Sequence, residues 1–173
     1  MPFSCHEAMP SQTENIENQE TRIYVALGEL LRHFNFLDLN LGLCLRHLEN
    51  PDDPSKSNSR LRGMNTKKKL EQIHQLITTQ ENLKGISTDE EFMEWLQSAD
   101  KCRAIRNFYI HGTWEYLPMD KKTPLRFQIP KWMKLDSKEG GEKLMTIKEL
   151  ESSVKEVEMV FNEFCRLRRK HGI

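Results

Sequence analysis

From Ile23 to Leu48 the chain carries one apolar stripe: Ile23, Leu27, Leu30 or Leu31, Phe34, Leu37, Leu41, Leu45 and Leu48, at steps of three and four. That spacing follows the turn of an α-helix, so the stretch predicts a long amphipathic helix with one face that other elements must cover. Gly28 and Gly42 lower the local helix propensity without breaking the register. Close helix packing or a slight bend would account for Gly42.

Three further helical patterns supply the covering elements. One runs from about Asn65 to Asn82, with Leu70, Ile73, Leu76 and Ile77 on its inner side. Ser87 and Glu90 have capping-box spacing and open a third, whose inner side carries Phe92, Trp95 or Leu96, Ala99, Cys102 and Ile105 towards Tyr109. Gly112 is placed to end it in the left-handed conformation. Thr146 and Glu149 repeat the capping-box spacing ahead of a fourth helix bearing Ile147, Leu150, Val154, Val157, Phe161 and Phe164. The stretch from Trp114 to Leu135 differs, because Pro118, Pro124 and Pro130 separate short apolar and aromatic runs. It predicts short strands or a hairpin-like arm over one end of the helices, and the prolines argue against an uninterrupted central strand.

The expected fold is therefore mainly α, an antiparallel four-helix-type bundle with a short β-rich or extended insertion at about 114–135. Residues 1–18 are polar and form an expected flexible segment, and 19–173 an expected single domain. Asn50-Pro51 and the Ser/Asn cluster that follows mark residues 49–64 as an exposed loop.

Charge narrows the function classes. In 173 residues, 26 basic side chains balance 26 acidic ones, so no global field draws the chain to nucleic acid or membrane, and any such attraction is local. No apolar run approaches bilayer-spanning length, and Met1–Pro10 lacks a signal-peptide core. The expectation is a cytoplasmic protein with no membrane partner. Cys5, Cys44, Cys102 and Cys165 form no CxxC pair and are expected to be buried free thiols rather than disulfides or zinc ligands. The acidic residues Asp52, Asp53, Asp89, Glu90 and Glu91 lie in loop or cap contexts, so neither metal nor cofactor is expected.

The chemistry-bearing segment is Arg106-Asn107-Phe108-Tyr109-Ile110-His111-Gly112. Arginine holds phosphate in a bidentate fork, and histidine moves protons near neutral pH. Arg103, Asn107 and His111 are four apart and share a helix face, whereas Arg106 and His111 diverge by about 140° on a regular helix. They converge where His111 lies on an unwinding last turn, or where two subunits combine their groups. In a catalytic site His111 would deprotonate a ribose 2′-hydroxyl or protonate the 5′-oxygen, and Arg106 would stabilise phosphoryl charge with help from Arg103. Asn107 would orient His111 or bind a phosphate oxygen. Lys67, Lys68 and Lys69 form a candidate phosphate-contacting patch. The structural alternative is an Arg106 ion pair and a His111 helix cap, and Arg166 with His171 repeats the same separation in a basic tail that suits a helix C-terminus.

Arg106, Asn107 and His111, with Gly112 behind them and a helical layout over residues 20–170, resemble the HEPN superfamily, whose signature is an arginine, commonly followed by a polar residue, with a histidine after a gap of four to six residues; here the gap holds four. The resemblance implies a helical bundle whose motif helices meet across a homodimer to form a composite, metal-independent endoribonuclease site. RNA is the implied substrate, and a regulatory protein the implied partner. The same superfamily includes toxin-like ribonucleases, partners of small nucleotidyltransferases and noncatalytic helical modules, so an RNA-binding or protein-interaction module is the alternative. Trp114, Tyr116, Phe127 and Trp132 would be its contact residues, unless they close the core.

Overall fold

A computed structural model describes residues 12–84, 90–117, 124–128 and 142–171, with side chains for 17–79, 90–117, 124–128 and 142–170. The chain is mainly helical with a small three-stranded antiparallel sheet. Helix α1 spans Gln12–Glu49, and its stripe is buried as Ile23, Ala26, Leu30, Phe34, Leu37, Leu41, Cys44 and Leu45. Leu30 rather than Leu31 faces inward, and Leu27 and Leu48 are half-buried. Each fully buried leucine or isoleucine contributes roughly 2 kcal/mol of hydrophobic stabilisation. The helix starts inside the polar segment expected to be flexible, because extending an anchored helix costs far less than nucleating one.

The connection after α1 is more ordered than an exposed loop. Its 3-10 turn, Pro54–Ser57, and the single-turn α2, Asn58–Leu61, are tied back to α1. Arg46 Nε donates to the Pro54 carbonyl at 3.1 Å, Asn50 Nδ2 donates to Ser57 Oγ at 2.7 Å, and Arg60 pairs with Glu49. Gly63 then turns the chain with φ 78°, a left-handed conformation that side-chain-bearing residues rarely adopt. Helix α3, Thr66–Lys84, follows, with Asn65 Oδ1 accepting the Lys68 N–H at 2.9 Å as its N-cap.

Helix α4 spans Glu90–His111; Ser87 of its expected cap lies outside the described residues. Both Trp95 and Leu96 are buried. Trp95 stacks on Phe164 with ring centroids 4.5 Å apart, and its indole N–H donates to the Val160 carbonyl at 2.8 Å. Helix α5, Ile147–His171, opens with a reciprocal cap: the Thr146 N–H donates to Glu149 Oε2 at 2.6 Å and the Glu149 N–H to Thr146 Oγ1 at 3.1 Å. These bonds hold the Glu149 carboxyl below its ordinary range. The basic tail is bound within the molecule. Arg166 and Lys170 both pair with Glu91 of α4, and Arg168 donates to Asn40 of α1 at 2.7 Å.

Helix α1 packs on α3, α4 and α5; α3 also packs on α4, and α4 on α5. One apolar cluster lies among these helices, around Leu37, Leu41, Ile73, Trp95 and Phe164. A second lies where the sheet meets Ile23, Leu30, Tyr109, Leu150 and Val154, and Ile105 touches both. The sheet has the order β1 (Thr113–Tyr116), β2 (Leu125–Gln128), β3 (Glu142–Met145). Trp114 opposes Phe127, and Leu125 opposes Met145. The central strand buries Leu125 and Phe127 and points Arg126 outward, where Glu115 and Glu142 from its two neighbours face it. β3 lies beyond the expected insertion at 114–135, while Pro118, Pro130, Trp132 and Leu135 fall outside the described residues. No helix among the described residues is long and apolar enough to cross a membrane.

Two observations here yield predictions. A Cβ added at Gly28 or Gly42 meets nothing within 4 Å, so close packing does not explain either glycine. Gly28→Ala and Gly42→Ala are each expected to stabilise the fold by about 0.5–1 kcal/mol, read as a higher urea midpoint. An unchanged or lower midpoint would contradict that account. Cys44 and Cys102 are buried free thiols, and burial pushes both from their ordinary 9.0 up to about 12. The folded chain thus holds these protons more tightly than the unfolded one. Their contribution to stability is full below about pH 9 and is lost as pH rises towards 12. The urea midpoint should fall across that window, and fall less steeply in Cys44→Ala/Cys102→Ala. Equal slopes for the two proteins would refute the assignment.

Candidate functional site

The last turns of α4 bring the motif side chains to one cavity. The helix stays regular through His111, and the Gly112 N–H closes it by donating to the Phe108 carbonyl at 3.1 Å. Arg106 Nη1 lies 3.1 Å from Asn107 Oδ1 and 3.4 Å from His111 Nε2. The divergence of backbone directions is closed by the length of the arginine side chain, so neither unwinding nor a second subunit is needed for the two groups to meet. Arginine only donates, so a hydrogen bond across this contact has His111 Nε2 as its acceptor and corresponds to the tautomer with the ring proton on Nδ1.

Arg106 is seated from below by α1. Its guanidinium carbon stands 5.5 Å from the centroid of the Phe34 ring, a cation–π arrangement. Its Nε is buried with no hydrogen-bond partner among the described residues. Asn107 spends its side-chain oxygen on Arg106, which leaves its NH2 group as a donor.

A cavity of about 460 Å³ opens over these groups, walled by three elements. From α1 come Phe34, Asn35 and Asp38; from the α3 N-terminus and the residues before it come Met64, Asn65, Thr66 and Lys67; from α4 come Arg103, Arg106, Asn107 and His111. The cavity thus gathers Arg106, Asn107, His111, Arg103 and Lys67 from the residues singled out by the sequence. Lys68 and Lys69 are not part of its wall. Lys69 is buried against α1, with Nζ 2.7 Å from Asp38 Oδ2 and 3.2 Å from the Asp38 carbonyl. Arg103 is buried as well, and its Nε donates to Asp100 at 2.7 Å. Tyr109 turns away into the core, its hydroxyl 3.1 Å from Ser153 Oγ, and burial pushes the phenol above its ordinary range.

Sequence reasoning missed the α1 wall. The available signal was Lys69, which lies beside Leu70 and four residues before Ile73, on the inner side of α3, where a cation needs a counter-charge. Phe34 and Asp38, one helical turn apart, share a face and supply the aromatic seat and that carboxylate. The exposed-aromatic reading fares differently. Phe127 is fully buried, Trp114 packs edge-on against Tyr24 at 5.3 Å, and the Tyr116 hydroxyl donates to Gln19 at 2.6 Å. These side chains close the sheet onto α1.

Among the described residues no three His, Cys, Asp or Glu side chains cluster so as to hold a metal ion. The arrangement offers an imidazole, a guanidinium at contact distance from it, and further cations on the same wall. Those groups suit proton transfer beside an anion. Comparison of the chain with protein-family models, with curated proteins and with solved structures gives no match.

Proposed function

We propose that this protein is a metal-independent endoribonuclease of the HEPN type, with α1, α3, α4 and α5 as its antiparallel four-helix-type bundle. The observation that carries the reading is the 3.4 Å approach of Arg106 Nη1 to His111 Nε2 at the wall of a cavity that also holds Arg103 and Lys67. A phosphodiester entering the cavity competes with His111 for the Arg106 guanidinium. The phosphate brings a full negative charge and two oxygens that match the guanidinium fork, which one ring nitrogen does not, so the phosphate wins and the imidazole is released.

The released His111 Nε2 takes the proton of the ribose 2′-hydroxyl. The 2′-oxygen attacks phosphorus as the bond from phosphorus to the 5′-oxygen breaks, which leaves a 2′,3′-cyclic phosphate. The departing 5′-oxygen receives a proton from an imidazolium: the same His111 after it has been protonated, or His111 of a second copy in a homodimer. Arg106, with Arg103 and Lys67, balances the charge that builds on the non-bridging oxygens. Asn107 fixes the Arg106 fork and adds a donor. A homodimer would set two such triplets across one cleft and divide the base and acid roles between them. A cytoplasmic setting with a regulatory protein partner belongs to the same proposal.

The test is incubation of the purified protein with mixed single-stranded RNA in excess EDTA, beside folded Arg106→Ala and His111→Ala variants. Cleavage that persists in EDTA, yields 2′,3′-cyclic ends and drops about 100-fold or more in each variant is the expected result. Equal cleavage by wild type and variants would reject the site. RNA binding without cleavage would instead assign the cavity to a noncatalytic RNA-binding module. A solution mass of one chain rather than two would reject the homodimer.

A further inference from the structure

The cavity wall contains one carboxylate, Asp38, among three cationic side chains, Lys67, Arg103 and Arg106. An exposed carboxylate there would repel a phosphate and cancel part of the field that attracts it. Both of its oxygens are engaged. Oδ1 accepts the Thr66 hydroxyl at 2.7 Å, and Oδ2 accepts the Lys69 ammonium at 2.7 Å, with the Asp38 carbonyl held by the same ammonium at 3.2 Å. The Lys69 side chain is 11% exposed and that of Asp38 32%, so the pair is poorly screened by solvent. Two of the three wall asparagines are spent in the same sense: Asn65 and Asn107 each give their oxygen to an internal donor and keep their NH2 groups. Among the described residues the one anionic group of the wall is thus neutralised from behind, and the Asn65 and Asn107 amides present donors beside Arg106.

We propose that Lys69 masks the charge of Asp38, and that this pair determines the selectivity of the cavity for phosphate-bearing ligands. The inference rests on the ribonuclease reading and assigns a specificity role to two residues outside its motif. Lys69 does not touch the ligand; it acts through Asp38. Removing the lysine exposes a carboxylate at the wall, removing the carboxylate's charge leaves an extra cation, and removing both restores the balance. A purely structural pair behaves otherwise, since losing either partner or both only loosens the α1–α3 contact.

The test uses the full chain and an oligoribonucleotide methylated at every 2′-oxygen, which binds without being cleaved. Anisotropy titrations at fixed salt are expected to show Lys69→Met weakened by on the order of fivefold to tenfold and Asp38→Asn tightened by a similar factor. Asp38→Asn/Lys69→Met should return to within about twofold of wild type by the same charge balance. If Lys69→Met does not fold, the tightening in Asp38→Asn decides alone, because a structural role predicts weakening there. Inorganic phosphate, followed by the His111 ring-proton signals, separates the phosphate group from the chain that carries it. The same order of affinities places recognition at the phosphate itself, and a phosphate affinity indifferent to all three changes overturns the proposal. Probe binding that is unaffected by Arg106→Ala sinks the ribonuclease site and this inference together. Normal dependence on Arg106, with a double variant as weak as Lys69→Met, overturns the inference alone.

Discussion

The buried stripe of α1 is the surface on which the rest of the molecule is assembled. It reaches from Ile23 under the sheet to Leu45 between the helices, and it contributes to both apolar clusters. Leu30, Leu37, Leu41 and Leu45 are wholly inaccessible, and together with Ile23 they supply roughly 10 kcal/mol of burial at about 2 kcal/mol each. No polar contact in the structure approaches that sum, since exposed ion pairs such as Arg22–Glu151 contribute about 0–1 kcal/mol. The α3, α4 and α5 helices are held where they bury this stripe, and the cavity is what remains between three of the packed elements.

The position of Arg106 follows from that packing but is not explained by stability. Its guanidinium gains about 0.5–2 kcal/mol over the Phe34 ring, while its buried and unpartnered Nε costs about 1–3 kcal/mol. Its Nη1 contacts to Asn107 and His111 offset part of that cost, and they leave the half-buried guanidinium at the cavity wall where the proposed anionic ligand would meet it. Asp38 and Lys69 show the contrasting case, a pair whose Coulombic attraction across 2.7 Å is real but largely offset by desolvation.

The long helices were legible because a 3.6-residue period over many turns leaves few alternatives; α3, α4 and α5 lie close to their expected spans, while α1 starts earlier, at Gln12, where no apolar stripe marks it. The reciprocal cap at Thr146 and Glu149 was legible for the same local reason, two side chains three residues apart serving each other's backbone. β3 was not. Glu142-Lys143-Leu144-Met145 has no alternation, and only Met145 of the four is buried, so its strand state derives from pairing with β2 rather than from its own pattern. The basic tail also could not be resolved locally, because Glu91 and Asn40, which hold it, lie 75 or more residues away. The Asp38–Lys69 pair spans 31 positions and left only the trace of a lysine on an apolar face.

The relation between Arg106 and His111 shows where spacing fails as a guide. Backbone geometry sets them about 140° apart, and that figure suggested that convergence required an unwound turn or a second subunit. Side-chain reach cancels it within one chain. The consequence for the chemistry is specific. In the proposed ribonuclease one protomer would by itself join the phosphate-binding arginine to the attacking base, without a second copy. What one protomer lacks is a separate acid for the leaving oxygen, because one imidazole cannot hold the proton before it has taken it. In the proposed homodimer the second His111 would answer that need only once it is released from its own Arg106 and protonated, so pairing would serve the number of protons handled at once rather than the direction in which the groups point.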